Sequence, residues 1–264
     1  MEIHHPTTVR DALGARAEGA TPLAGGTDLM VEVNFGHARL DRVVSLRRVE
    51  ELQDWAGPRI GAGVTWRRIE RQGPKALADA ARTVGSPQIR NAGTIGGNLA
   101  TASPAGDGHP FLAAVDAEIE VASIRGSRVI PWDQFFTGVK KTALEDDELV
   151  TAVRLPDHIP ARQAFAKIGV RNAMVIATVC CVVTRDEDGA TTAALGSVAP
   201  TVMRARGAEE MISSEAKPSA AALDRFQRLI EEEVRPITDH RSTERYRRHA
   251  AGVLARRLLE RCLR

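Results

Sequence analysis

Two glycine pairs constrain most strongly how this chain can fold. Gly25-Gly26 follows a predicted strand at residues 21–24, and Gly96-Gly97 lies in the segment Gly93-Thr94-Ile95-Gly96-Gly97-Asn98. Glycine permits backbone conformations in which successive N–H groups point into one concavity, and such a concavity favours an anion. Most two-glycine turns, taken singly, are only turns. Two in one domain fit the two phosphates of a diphosphate, so together they predict that ligand.

Other phosphate-binding and hydrolytic motifs are excluded at particular positions. The segment that begins Gly61-Ala62-Gly63 has Trp66 where a Rossmann fingerprint requires its third glycine, and no Gly-Lys-Ser/Thr of a P-loop is present. Ser103 lacks the Gly-x-Ser-x-Gly frame, so we reject a hydrolase triad with Asp107 and His109. The histidines show no metal-ligand spacing.

The cysteines restrict the metal chemistry of the chain. Only Cys180, Cys181 and Cys262 exist, and the first two are adjacent in an apolar run. Alternation along a strand points them to opposite faces, so they cannot form a Cys-x-x-Cys clamp. Structural zinc and iron–sulfur clusters need about four convergent ligands, so we expect this chain to carry no metal by itself.

The positive charge is concentrated in the last 24 residues. Residues 241–264 hold eight Arg and no Lys against two Glu, a net +6, while the whole chain carries +2 and the rest therefore −4. Tyr246 is the sole aromatic in that run, which argues against a nucleic-acid reader. Apolar residues recur there at three- and four-residue steps and predict an amphipathic helix whose arginines face either solvent or a partner protein.

Targeting signals are not recognisable in the sequence. The longest nearly apolar run, residues 175–183, is about half of the roughly 20 residues that cross a bilayer. The N-terminus has neither a basic region nor an apolar signal core. We therefore expect a cytoplasmic protein without a membrane span.

The order of predicted elements favours an α+β protein of two domains. Helix-like and strand-like pieces alternate to residue 84, and residues 85–108 are rich in Gly, Ser, Thr, Asn, Pro and Ala. A loop of this length in a compact domain is typically functional. Residues 156–160 separate this part from three predicted strands, at 164–170, 174–184 and 191–198, which two helices follow.

At this point the sequence resembles a known family. Pro22-Leu23-Ala24-Gly25-Gly26-Thr27-Asp28-Leu29 and the long segment from Arg90 through Gly93-Thr94-Ile95-Gly96-Gly97-Asn98 to Thr101-Ala102-Ser103-Pro104-Ala105-Gly106-Asp107 are similar to the FAD-binding medium subunit of the xanthine dehydrogenase and carbon monoxide dehydrogenase (molybdenum hydroxylase) family. The similarity extends over the whole chain. It implies a two-part FAD-binding domain of the vanillyl-alcohol-oxidase/MurB type at residues 1–158, with parts at about 1–52 and 53–158. A C-terminal domain at 159–264, with a three-stranded antiparallel sheet and helices, would follow.

The resemblance also implies a set of FAD-binding positions. They are Leu23, Ala24, Gly25, Gly26, Thr27, Asp28, Thr94, Ile95, Gly96, Gly97, Asn98, Thr101, Asp107, Val150 and Lys167. The glycine segments would cradle the pyrophosphate, and Lys167 would stabilise negative charge on the reduced ring or, alternatively, be a surface lysine of a strand. The FAD would be held without a covalent bond, since no candidate for such a link is present.

The resemblance further implies partner chains. A large subunit would carry the molybdenum cofactor and a small one the iron–sulfur clusters, in a dimer of heterotrimers. This chain would then pass electrons from the clusters through FAD to NAD or another acceptor. Two alternatives remain open: a stand-alone FAD-dependent oxidoreductase acting on a small molecule, and a nucleotide-binding module without turnover.

Overall fold

The computed structural model describes all 264 residues and begins with a small parallel sheet. Its strands are β1 (Glu2–His4), β2 (Thr21–Leu23) and β3 (Arg42–Ser45), in the order β1-β3-β2. Helices α1 (Val9–Ala17) and α2 (Leu29–Asn34) connect them, and a 3₁₀ turn (Leu46–Arg48) and α3 (Glu50–Gln53) follow. Helix α1 begins at Thr8, whose hydroxyl accepts a hydrogen bond from the N–H of Asp11. The connection between β2 and α2 leaves the sheet at the carboxyl end of β2.

A five-stranded antiparallel sheet forms the second layer. Its order is β4-β5-β10-β6-β7. The strands are β4 (Trp55–Ala56), β5 (Arg59–Gly61), β6 (Glu118–Ser123), β7 (Gly126–Pro131) and β10 (Leu149–Arg154). Helix α9 (Trp132–Phe135) and a small ribbon of β8 (Phe136–Gly138) and β9 (Lys141–Thr142) lie between β7 and β10. The register of β10 shifts between Val150 and Ala152, which is a bulge at the strand that faces the site.

Five helices lie between β5 and β6. They are α4 (Trp66–Gln72), α5 (Lys75–Thr83), α6 (Pro87–Ala92), α7 (Ile95–Thr101) and α8 (His109–Ala114). The prediction of a loop across residues 85–108 is therefore wrong for α6 and α7. Ser86 and Thr94 cap these two short helices by accepting backbone N–H bonds from Ile89 and Gly97, which offsets the low helix propensity of their sequences.

The C-terminal part contains a third sheet. The strands β11 (Arg162–Ile168), β12 (Val179–Arg185), β13 (Thr191–Gly196) and β14 (Met203–Arg204) follow one another in antiparallel order, so a short fourth strand extends the three that were predicted. Helices α10 (Arg206–Ser213), α11 (Ala220–Glu233) and α12 (Glu244–Cys262) cover one face of this sheet. None of the helices is both long and apolar enough to cross a membrane.

The central strand of the third sheet separates two apolar cores. Cys180 and Val182 belong to the larger core, which includes the residues between the first two sheets and their helices. Cys181 and Val183 belong to the smaller core, under α11 and α12. The prediction of opposite faces for the two cysteines is confirmed. The third sheet is consequently packed on both sides, and one side completes the core of the N-terminal part.

The arginine-rich helix α12 differs from its prediction in one residue. Arg245, Arg257 and Arg261 are exposed, as expected of an amphipathic helix. Arg247 instead is only 3% exposed. The helical period groups Arg247 with the polar positions of α12. Its guanidinium, however, donates to backbone carbonyls from distant parts of the chain, and a local sequence pattern does not reveal such partners.

Candidate functional site

A cavity of about 1060 Å³ opens where the two N-terminal sheets, helices α4, α6 and α7, and strand β11 meet. This volume is at the upper end for ligand pockets and has room for an extended nucleotide cofactor. Fourteen of the fifteen predicted FAD-binding residues line it: Leu23, Ala24, Gly25, Gly26, Thr27, Asp28, Thr94, Gly96, Gly97, Asn98, Thr101, Asp107, Val150 and Lys167. Residues that are far apart in the sequence are thus brought to one cavity.

Ile95 is the predicted residue that does not line the cavity. Its side chain is 1% exposed and packs in the larger core. Its N–H donates to the carbonyl of Val64 at 3.0 Å. Ile95 is the first residue of α7, and its side chain lies on the side of the helix that packs in the core.

The first glycine segment presents a row of backbone donors to the cavity. The N–H groups of residues 24–28 have no acceptor within the protein, although all five residues line the cavity. Gly26 has a φ of +69°, a left-handed conformation that favours glycine. Unsatisfied N–H groups in a turn before a helix form an anion-binding concavity, so this segment suits a phosphate.

The two glycine segments touch each other at Gly25. A Cβ atom on Gly25 would lie 1.9 Å from the carbonyl oxygen of Ala92 and 2.9 Å from the nitrogen of Gly93, both backbone atoms. The segments are also joined by a hydrogen bond of 3.1 Å from the Thr101 hydroxyl to the Asp28 carboxylate. A side chain at position 25 would therefore separate the walls of the cavity, and the fit tolerates only glycine.

The second glycine segment differs from the expected nest of free donors. The N–H of Gly96 donates to the carbonyl of Ala62 at 2.9 Å, and that of Gly97 donates to the Thr94 hydroxyl at 3.1 Å. The close packing requires glycine at position 96, because an added Cβ would lie 2.5 Å from the Cβ of Ala62. This segment thus supplies a close, bare surface and the side chains of Thr94 and Asn98, whereas the first supplies the backbone donors.

A buried ion pair closes one part of the cavity. The Lys167 ammonium donates to Asp107 Oδ2 at 2.5 Å and to the carbonyl of Thr83 at 3.2 Å. The two side chains are 7% and 6% exposed, so the alternative of a surface lysine is wrong. Burial raises the pKa of Asp107, and the Lys167 ammonium and the Thr83 hydroxyl act in the opposite direction. Asp107 Oδ1 is buried without a hydrogen-bond partner, which leaves it available to a ligand.

Thr83 and His109 belong to this region, and sequence reasoning assigned neither to the site. Thr83 lies in the last turn of α5, and its hydroxyl donates to Asp107 Oδ2 at 3.0 Å. The only sequence signal for its role is its position just before the glycine-rich segment. His109 is 2% exposed and lies under Gly106. Burial lowers the pKa of His109 to about 4, so the imidazole is neutral at physiological pH.

The site contains no arrangement of metal ligands. No group of three or more His, Cys, Asp or Glu side chains could hold a metal ion. All three cysteines are buried thiols, and burial raises the pKa of Cys180, which pairs with Lys167 across β11 and β12. The cavity offers a ligand two kinds of polar group: the backbone N–H donors of residues 24–28, and the buried pair of Asp107 and Lys167.

Comparisons with known proteins agree with this geometry. Residues 1–158 match the family model described as the FAD binding domain in molybdopterin dehydrogenase. Residues 164–262 match the CO dehydrogenase flavoprotein C-terminal domain. The two matches together span nearly the whole chain, and the gap between them, residues 159–163, covers the end of the β10–β11 connection and the start of β11.

Individual relatives have related names. The carbon monoxide dehydrogenase medium chain of Hydrogenophaga pseudoflava is 31% identical over 98% of this chain and 96% of its own. The nicotinate dehydrogenase FAD-subunit of Eubacterium barkeri is 38% identical over 68% of this chain and 66% of its own length. A solved structure of carbon monoxide dehydrogenase from H. pseudoflava superimposes with a TM-score of 0.91 at 29% identity, covering 99% of this chain and 96% of that one.

Proposed function

Because this chain belongs to the family of FAD-binding medium subunits of the xanthine and carbon monoxide dehydrogenases, we propose that it is the electron-output subunit of a molybdenum hydroxylase complex. In this proposal it passes electrons from iron–sulfur clusters of a partner chain to NAD or another acceptor. The observation that carries the proposal is the row of free N–H groups at residues 24–28 on a cavity lined by both glycine segments.

The residues of the cavity fit FAD. The five backbone donors of the first segment would hold the pyrophosphate, since each binds a phosphate oxygen without adding a bulky side chain. Gly97 and Asn98 would form the opposite wall. Asp107, Lys167 and Val150 would lie at the flavin ring, since all three line the cavity outside the glycine segments and the first two form a buried charge pair. No residue offers a covalent link, so these contacts alone would retain the cofactor.

The protein controls the environment in which the cofactor works. Bound FAD would supply the ability to accept electrons singly and to release them as a pair. The buried Lys167 ammonium would stabilise negative charge beside the ring, in surroundings that screen charge far less than water does. Asp107 keeps that ammonium in place, and its unpartnered Oδ1 would be available to accept a hydrogen bond from the bound cofactor.

The partner chains would carry the remaining chemistry. No cluster of side chains in this chain could hold a metal ion, and relatives named for nicotinate, xanthine and carbon monoxide are similar to it in sequence, so we propose that the substrate binds on another subunit. A large molybdenum-cofactor subunit and a small iron–sulfur subunit would complete a dimer of heterotrimers. The exposed arginines of α12 are candidate contacts in this assembly.

The domain organisation follows the same proposal. Residues 1–158 would form the two-part FAD-binding domain of the vanillyl-alcohol-oxidase/MurB type, its parts at about 1–52 and 53–158. Residues 159–264 would form the C-terminal domain. The parallel sheet and the antiparallel sheet on either side of the cavity support this division.

The first test is purification of the untagged protein from its host at natural abundance. We expect FAD, iron and molybdenum in one particle with two further chains. FAD on a single chain would instead support the stand-alone oxidoreductase. A particle without flavin, whose purified chain does not bind added FAD, would refute the proposal.

A further inference from the structure

Arg247 is a buried arginine that joins two distant backbone segments. Its Nη1 donates to the carbonyl of Thr178 at 3.1 Å and to the carbonyl of Ser197 at 2.9 Å. Thr178 precedes β12 and Ser197 follows β13, so one guanidinium holds the neighbouring ends of two strands. Each of those ends makes one further backbone hydrogen bond, to Ile168 beside Lys167 and to Pro104, three residues before Asp107.

The first of these connections leads to Lys167. The N–H of Thr178 donates to the carbonyl of Ile168 at 2.8 Å. Ile168 directly follows Lys167 on β11, and Lys167 pairs with Cys180 of β12. Thr178 therefore holds the end of the β11–β12 pair, one residue beyond Lys167 on β11.

The second connection leads to Asp107. The N–H of Ser197 donates to the carbonyl of Pro104 at 2.8 Å, across the boundary between the N-terminal and C-terminal parts. Pro104 lies three residues before Asp107, in the connection between α7 and α8. Ser197 has a φ of +65°, which a non-glycine residue adopts only when its surroundings impose it. The carbonyl bond from Arg247 is one of the contacts that impose it.

The charge of Arg247 is balanced locally. Its Nη2 donates to Asp239 Oδ1 at 2.7 Å. Burial opposes ionisation of Asp239, but the N–H of Arg241 and the Arg247 guanidinium outweigh it and lower the pKa of Asp239 to about 2. The pair is therefore ionised at every physiological pH, and Arg247 keeps its orientation toward the two carbonyls.

We infer that Arg247 is a positioning residue, which sets the distance between Asp107 and Lys167 by anchoring both backbone segments that carry them. The inference rests on the proposed function only in taking this pair to face bound FAD. A forked guanidinium suits the task because its donors have fixed relative directions. Its loss would leave two buried carbonyls unpaired and would release both segments, so that the ammonium and the carboxylate separate.

The test compares Arg247→Met and Arg247→Lys with Arg248→Met in the full chain. Arg248 is a matched control, because it also donates to two backbone carbonyls, of Glu231 and Val234, and to one carboxylate, of Glu244. It does not reach the site. The flavin-free proteins are treated with an amine-acetylating reagent, and modification of each lysine is followed by mass spectrometry. The chain has five lysines, and Lys75, whose side chain is 69% exposed, serves as the internal reference.

We expect acetylation of Lys167 to become about tenfold faster in Arg247→Met, with Lys75 unchanged and Arg248→Met like the wild type. Arg247→Lys keeps the charge and should give an intermediate rate, which covers the case in which the methionine variant does not fold. FAD affinity should fall in the same order, and Arg247→Met should have little further effect on affinity in a Lys167→Met background.

Two results would overturn the inference. One is an unchanged Lys167 rate in both folded Arg247 variants, and the other is an equal increase in Arg248→Met. Failure of the wild-type chain to bind FAD would refute the proposed function, whereas the acetylation rates, which need no flavin, would still decide the role of Arg247.

Discussion

Replacement of Gly25 by alanine is the most direct test of the proposal that the first glycine segment binds the phosphates of FAD. The new Cβ would start 1.9 Å from the carbonyl oxygen of Ala92 and 2.4 Å from its carbon. Contacts of real Cβ atoms stay beyond 3.0 Å, so the two glycine segments must separate by about 1.1 Å or more. No side-chain rotation relieves the overlap, because the opposing atoms are backbone.

The separation would move the donors at residues 24–28 away from the ligand. A hydrogen bond to a charged group contributes about 1.5–3 kcal/mol, and every 1.4 kcal/mol is about a tenfold change in affinity. Loss of one such bond predicts that FAD binds about 10- to 100-fold more weakly to Gly25→Ala. The assay is titration of the flavin-free chain with FAD, followed by fluorescence and calorimetry, at a temperature where circular dichroism shows a folded protein.

Gly14→Ala is the matched control. Gly14 lies inside α1 with no heavy atom within 4 Å of its added Cβ, so the same substitution meets open space. We expect it to leave FAD affinity unchanged and to stabilise the chain by about 0.5–1 kcal/mol through helix propensity. Wild-type FAD affinity in a folded Gly25→Ala variant would refute the assignment of this segment to the phosphates.

Three further predictions concern charge. Lys167→Ala removes the ammonium that pairs with the buried carboxylate of Asp107. We therefore expect the reduction potential of the flavin to become more negative and the pKa of Asp107 to rise further. An unchanged reduction potential would show that Lys167 does not stabilise negative charge on the reduced flavin. Burial lowers the pKa of His109 to about 4, below its unfolded value, so the unfolded state binds more protons between pH 6.5 and 4. Stability should therefore fall by about 3 kcal/mol as the pH drops through that window, and urea unfolding of His109→Gln should lack this component. Reversal of the exposed charges at Arg245, Arg257 and Arg261 to Glu should dissociate the complex in size-exclusion chromatography without lowering the melting temperature of the isolated chain.

Local patterns in the sequence were sufficient for much of this structure. Thr8 and Thr65 each begin a helix by accepting an N–H bond, as their residue types predict. The alternation at Cys180 and Cys181 correctly predicted that they lie on opposite faces of a strand, and the structure places those faces in separate cores. The glycine segments and the family resemblance together indicated which residues meet at the cavity. The caps, the alternation and each glycine segment are patterns of residues that are close together in the chain, and the family resemblance relates the segments to one another.

The features that the sequence did not reveal depend on distant contacts. Helix α7 has a Gly-, Asn- and Thr-containing sequence and is held by Gly96, which packs against Ala62, more than 30 positions earlier, and donates its N–H to the Ala62 carbonyl. That same contact uses the N–H that the expected nest would have offered. The burial of Arg247 likewise depends on carbonyls about 50 and 70 positions away. Periodicity describes one element at a time and contains no information on such partners.

The division of β12 between two cores has a consequence for synthesis. Phe165, Cys180, Val182 and Ala194 complete an apolar core whose other members nearly all precede residue 156. Translation proceeds at about 5–20 residues per second, so the N-terminal part waits about 2–8 seconds on the ribosome before the residues that cover it have been made. During that interval its uncovered apolar face is open to aggregation, and a chaperone that binds nascent chains would act on this protein just before β13 emerges.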